Sequence, residues 1–194
     1  MPNTHLKRGK RLFPENLTLE TERLLLTPIS MKDLDDVWPH VTDPRISRLM
    51  SWLPHQDKSD TRALIDNLEQ SRRDERGITW SIFMDGRFCG IISLISIMRH
   101  HRALTYHSAE LAYWLGVEFQ GQRIMSEAGR QVIAFAFKEL GIHRLVVEHF
   151  TSNPQSERVI KQWGFHLIGE KRHAFMKEGV WHNAKCYDLL ETDL

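Results

Sequence analysis

Gln120, Gly121, Gln122 and Arg123 stand between a largely apolar run, E-L-A-Y-W-L-G-V-E-F over residues 110–119, and a segment that opens with Ile124, Met125 and Ser126. These residues shape a turn whose backbone N–H groups point at an anion. The segment beyond the turn has a helical period: Ile124, Ala128, Val132 and Ala136 recur every fourth residue, and Met125, Ile133, Phe137 and Leu140 fill the same side. A positive helix end directly after a strand favours a ligand phosphate, and a nucleotide pyrophosphate would satisfy it. Neither G-x-x-x-x-G-K-[ST] nor G-x-G-x-x-G occurs in the chain, which weakens NTP and dinucleotide readings.

The turn resembles the acyl-CoA-binding motif of the GNAT acetyltransferase superfamily, Gln/Arg-x-x-Gly-x-Gly/Ala, with Gln120 in its first position. The longer run Y-W-L-G-V-E-F-Q-G-Q-R-I-M-S-E-A is similar to the RimJ/RimL-type branch, which acetylates protein N-termini including those of ribosomal proteins. E-T-E-R-L-L-L-T-P (20–28) resembles that branch's first strand, S-N-P-Q-S-E-R-V-I-K-Q-W-G-F (152–165) its N-x-x-S helix, and G-V-W-H-N-A-K-C-Y (179–187) its last hairpin. Arg123 departs from the pattern, because glycine at that position lets backbone approach the phosphates. The arginine either adds a cation to the diphosphate or narrows the loop.

The resemblance implies a direct transfer of acetyl from acetyl-CoA to an amine, with no metal. The strand ending at Leu115 and the strand at 144–150 would splay apart, and the pantetheine arm would pair with backbone groups of Tyr113, Trp114 and Leu115 as an added strand does. The diphosphate would lie on Gln120, Gly121, Gln122, Arg123, Ile124, Met125 and Ser126, and Asn153 would meet the pantetheine amide region. Acetyl transfer needs a neutral amine, a polarised carbonyl and a stabilised thiolate. An α-amino group is neutral for roughly a tenth to a third of molecules near neutral pH, a lysine for only about one in a thousand, so an N-terminus demands a weaker base.

Glu110 is the candidate base, since strand alternation puts it on the same face as Ala112 and Trp114; a solvated or salt-bridged glutamate is the structural alternative. Glu118 is a second choice that reads more simply as a loop charge. Ser156 closes the N-x-x-S motif, where the resemblance places a hydroxyl near the CoA sulfur; alternatively it decorates the first turn of a helix capped by Asn153 and begun by Pro154. Tyr187 is another possible donor, although a terminal-strand tyrosine is more often core. Arg158 and Lys161 would reach the 3′-phosphate by the same resemblance, or simply be solvated.

Those residues need elements to hold them. Strands are predicted at 23–29, 78–84, 88–97, 106–115 and 144–150, with Asp85-Gly86 as a hairpin signal. Helical stretches are predicted around 32–50, interrupted by Pro39 and Pro44, and at 59–73, 124–140 and 154–163, before a hairpin at 166–190 turning near Glu178-Gly179. This order specifies an α/β fold with a mixed, mostly antiparallel sheet and helices on both faces, which agrees with the GNAT fold. By resemblance, Trp52, Leu53 and Pro54 and the hairpin at 175–181 frame the acceptor mouth.

A chain of 194 residues with 41% hydrophobic residues suits one compact domain, expected at 17–194 behind a basic arm at 1–16. The net charge of +1 argues against a whole-protein field for nucleic acid or membrane. Lys7, Arg8, Lys10 and Arg11 cluster locally, and read as a solvated arm or as a tail touching RNA or the ribosome. No apolar segment follows them as in a signal peptide. Cys89 and Cys186 have no C-x-x-C spacing, so the chain reads as cytoplasmic and reduced. The histidines lack any H-E-x-x-H or Cys/His spacing, which argues against a metal site.

The expected acceptor is a protein or peptide N-terminus, the alternatives being a small-molecule amine or, without catalysis, a mere acyl-CoA-binding module. Monomer and homodimer are both compatible with the sequence.

Overall fold

The computed structural model describes residues 11–194; Lys7, Arg8 and Lys10 of the expected basic arm lie outside the described residues, which include only its positions 11–16. Strands run at β1 (Leu19–Glu20), β2 (Leu24–Pro28), β3 (Ile78–Met84), β4 (Arg87–His101), β5 (Leu104–Leu115), β6 (Arg144–Phe150), β7 (His166–Lys177) and β8 (Val180–Leu190). Helices are α1 (Leu34–Val41), α2 (Pro44–Ser47), α3 (Lys58–Arg73), α4 (Ile124–Lys138) and α5 (Pro154–Gln162).

Local chemistry fixes most boundaries. Asp57 caps α3 by accepting from the Ser59 N–H at 2.7 Å, and Asn153 caps α5 ahead of Pro154. Asp85 and Gly86 both have positive φ, 51° and 74°, the backbone a tight antiparallel hairpin requires. One expectation shifts and one strand is added. α1 continues through Pro39 and stops at Val41, because Leu34, Val37 and Val41 bury one face of it and that burial offsets the missing N–H. Short β1, which pairs Leu19 with Leu26, carries too few residues to show a period.

The strands form one sheet in the order β1-β2-β3-β4-β5-β6-β8-β7. Every pairing is antiparallel except β5 with β6. α4 and α5 cover one face, over a core that includes Trp80, Ile92, Leu94, Leu111, Leu145 and Tyr187. α1, α2 and α3 cover the other, over Phe88, Ile91 and Trp114. The packed body reaches ahead of the expected start at residue 17: Leu12 is buried and its N–H donates to Glu75 Oε1 at 2.9 Å.

α4 and α5 lie unusually close at Gly129. A Cβ there would sit 2.1 Å from the Trp163 ring, and the Trp163 indole N–H donates to the Ser126 carbonyl at 3.2 Å. Glycine is therefore required by the packing at this helix position, against its weak helix propensity.

Candidate active site

The parallel junction of β5 and β6 is short. Ser108, Ala109 and Glu110 pair with Arg144, Leu145 and Val146, after which β5 pairs only with β4 and β6 only with β8. The facing edges of 111–115 and 147–150 therefore diverge as an open splay, whose unpaired backbone groups can receive an extended chain. Side chains alternate across it. Ala109, Leu111, Tyr113 and Leu115 turn toward α4 and α5, while Trp114 turns toward α1–α3, carrying Glu110 and Ala112 to that side as the alternation predicts.

At the end of β5 the chain passes a short 3-10 turn (Val117–Phe119) and enters α4. The first N–H to close an α-helical bond is that of Glu127, to the Arg123 carbonyl at 3.1 Å, leaving the N–H groups of Ile124, Met125 and Ser126 without intrahelical acceptors. The side chains of Ile124 and Met125 are core, so these residues present only backbone. Gln120 and Gln122 brace the turn by donating to the carbonyls of Leu115 at 3.3 Å and Glu118 at 2.7 Å. Gly121 has φ 78° and open space at its Cβ position.

Arg123 is the N-cap, with left-handed φ of 61°, a conformation that costs an arginine about 1–2 kcal/mol and a glycine almost nothing. Its exposed side chain lines a recess of about 530 Å3 together with Arg23, Ser126, Arg130 and Gln162. Arg23 is pinned by Glu127 at 2.7 Å, and Glu127 also accepts from Thr21 at 2.5 Å. Although burial opposes its charge, these hydrogen bonds hold the Glu127 carboxyl below the ordinary glutamate value. Free N–H groups, a positive helix end and neighbouring guanidinium groups form a cradle that fits a diphosphate.

Ser156 lies in the first turn of α5. Its N–H donates to the capping Asn153 Oδ1 at 3.1 Å, and its Oγ is 2.7 Å from Tyr113 Oη. Burial raises the Tyr113 phenol well above its ordinary value, so the tyrosine stays protonated. When its O–H donates to Ser156 Oγ, the serine proton is free for a third group. Capping and the hydroxyl's approach to the splay coexist here. The sequence does not announce this side-chain role of Tyr113; its one signal is the strand alternation that turns Tyr113 away from Glu110.

Glu110 is half-buried on the opposite face. Burial, then the negative charge of Glu148, raises its carboxyl above the ordinary range, with Lys171 pulling the other way. Glu148 is itself held by Lys171 at 2.8 Å, whereas Glu110 is in none of the ion pairs among the described residues. Glu118 is exposed in its turn, Arg158 is exposed, and Lys161 pairs with Glu157 at 2.7 Å.

The sequence does not single out His149, and Tyr187 reads there more readily as core. On β6 and β8 their rings stack at 5.6 Å on the α5 side, and both His149 Nε2 and Tyr187 Oη are buried without a hydrogen-bond partner. The His149 Nδ1 lies 2.7 Å from the Phe150 carbonyl, which can only accept, so Nε2 carries the lone pair. Burial lowers the histidine's basicity and pushes the Tyr187 phenol up to about 12. Unpartnered buried atoms beside the splay mark a polar position that a ligand group or water can fill. The available sequence signal is a histidine on the strand face that otherwise carries Leu145 and Val147.

Residues 23–166 match the family described as "Acetyltransferase (GNAT) domain". The chain is 30% identical over 151 residues to the "Putative ribosomal N-acetyltransferase YdaF" of Bacillus subtilis (strain 168), across 75% of this chain and 80% of that protein. It is 24% identical over 161 residues to the spermidine N(1)-acetyltransferase of Escherichia coli (strain K12), across 82% and 81%. Among solved structures, RimL, a ribosomal L7/L12 alpha-N-protein acetyltransferase in complex with coenzyme A, superposes with a TM-score of 0.82 at 20% identity, covering 89% of this chain and 97% of that one.

Proposed function

The chain belongs to the GNAT acetyltransferase family and is an acetyl-CoA-dependent N-acetyltransferase, and we propose that its acceptor is the α-amino group of a protein or peptide. The observation that carries this reading is the charge balance on the acceptor side of the splay. Lys171 pairs with Glu148, whereas the neighbouring Glu110 has no ion-pair partner among the described residues. One carboxylate matches one ammonium and offers little to a polycation. A peptide terminus also needs only a modest base, because its amine has a pKa near about 8.

Acetyl-CoA supplies an activated carbonyl whose C–S bond breaks as the new C–N bond forms. The α4 cradle holds the diphosphate, and the unpaired edges of β5 and β6 hold the arm. Glu110 takes a proton from the acceptor ammonium, directly or through water, and frees the nitrogen lone pair for attack. Ser156, its Oγ held by Tyr113, donates a hydrogen bond from its hydroxyl to the departing sulfur, and the proton that the nitrogen sheds as the amide forms passes to the thiolate or to water. Relatives named for ribosomal proteins support a protein acceptor; a spermidine acetyltransferase at comparable coverage makes a small linear amine the second reading.

An acceptor screen tests the proposal. Thiol release from acetyl-CoA is expected with peptides bearing a free N-terminus and is expected to vanish when that terminus is blocked. Turnover confined to spermidine or other amines lacking peptide bonds would overturn it, and CoA binding without turnover on any amine would leave an acyl-CoA-binding module.

A further inference from the structure

Lys177, the last residue of β7, donates from Nζ to three backbone carbonyls, those of Ser47 at 2.5 Å, Met50 at 2.8 Å and Trp52 at 2.9 Å. All three ammonium protons are thereby spent on neutral acceptors. No ion pair among the described residues includes it. Withdrawing an ammonium from water without a counter-ion is unfavourable, and burial lowers its basicity against a weaker pull from Glu178. The carbonyls belong to the end of α2 and the irregular chain that leads to α3, where no ladder fixes the backbone. The amine therefore does for this loop what secondary structure does elsewhere.

The tie closes a circuit over the splay. Trp114 on β5 meets the Trp52 ring edge-on at 6.4 Å, and the Trp52 carbonyl receives Lys177. Along β7, Phe175 meets Phe150 of β6 at 5.8 Å. On the face opposite α4 and α5 the diverging strands are thus bridged by an arch of loop and hairpin, on the same face as Glu110, which stands at the closed end of the splay. An amine attacking from the side away from the diphosphate cradle must pass this arch.

We propose that Lys177 is a positioning residue that holds the arch closed and so restricts the acceptor to a slender, unbranched amine terminus. This rests on the reading that the acceptor enters on the Glu110 face. The tether itself does not depend on what is acetylated.

The test compares wild type with Lys177→Met, which keeps the stem and loses the donors, and Lys177→Arg, which keeps the charge. In Lys177→Met, hydrogen exchange at 48–57 and 175–181 is expected to rise, and the acceptor KM to increase about tenfold with kcat within about twofold. The preference for a peptide beginning with a small residue over one beginning with tryptophan is expected to fall about tenfold. The Kd for CoA stays within about twofold of wild type, and the Arg variant recovers part of the protection and of the KM.

Unchanged exchange together with an unchanged acceptor KM overturns the proposal. So does a parallel loss of CoA binding, which would mark general loosening. If the wild type acetylates no amine at all, the transferase reading falls separately. The exchange arm then still decides the tether: raised exchange in both segments keeps it, and unaltered exchange removes it.

Discussion

The roles proposed for Glu110 and Ser156 rest on their neighbours. A base must be ionised, and because Glu110 is raised by burial and by Glu148, the acid limb of kcat/KM is expected above the ordinary carboxylate range. Lys171 acts in the opposite sense, so Lys171→Met moves that limb to higher pH and Glu148→Gln moves it to lower pH. Opposite shifts in the pH–rate profiles of the two variants are the readout, and a limb that ignores both would remove Glu110 from the role. Ser156→Ala is expected to lower kcat by about 10–100-fold. Its Kd for CoA should hold, since the cap runs through Asn153 and the Ser156 backbone N–H. Titration beside steady-state kinetics separates the two.

Elements place these residues through two close fits. The first is α4 against α5: Gly129→Ala gains helix propensity of about 1 kcal/mol but drives a methyl into the Trp163 ring. A net destabilisation of about 1–3 kcal/mol is expected in urea unfolding, together with weaker CoA binding, because Trp163 also holds the Ser126 carbonyl in the first turn of α4. The second is the β5–β6 junction, whose three paired positions start the two strands in register and then release them. The sequence carried most elements by their period or caps, β1 excepted, but not the length of the junction, which depends on how the two strands twist apart.

For the whole molecule, the cradle and the splay couple ligand binding to global stability. At a CoA concentration about a hundred times Kd, mass action adds about 2.7 kcal/mol, a rise in Tm of roughly 5–10 °C for a domain of this size. Arg123→Ala removes a cation from the recess it shares with Arg23 and Arg130, so at the same CoA concentration the rise is expected to shrink; an undiminished rise would show that the helix end suffices without it. Differential scanning with and without CoA measures both.

From the sequence alone came the turn at 120–123, the period of α4, the Asn153-Pro154 start of α5, the Asp85-Gly86 hairpin and the face on which Glu110 stands. All are local, set by the helical period, by the strand alternation of two, or by residues that tolerate positive φ. Tertiary structure alone decided that Tyr113 meets Ser156 across 43 positions, that Lys171 meets Glu148 across 23, and that Lys177 reaches the Trp52 carbonyl across 125. It also decided that Arg123 takes the left-handed N-cap conformation of α4 and that Leu12 belongs to the core. No spacing rule encodes such contacts, because they arise only after the sheet has brought distant strands to the same edge, where desolvation and the geometry of each donor select the partner.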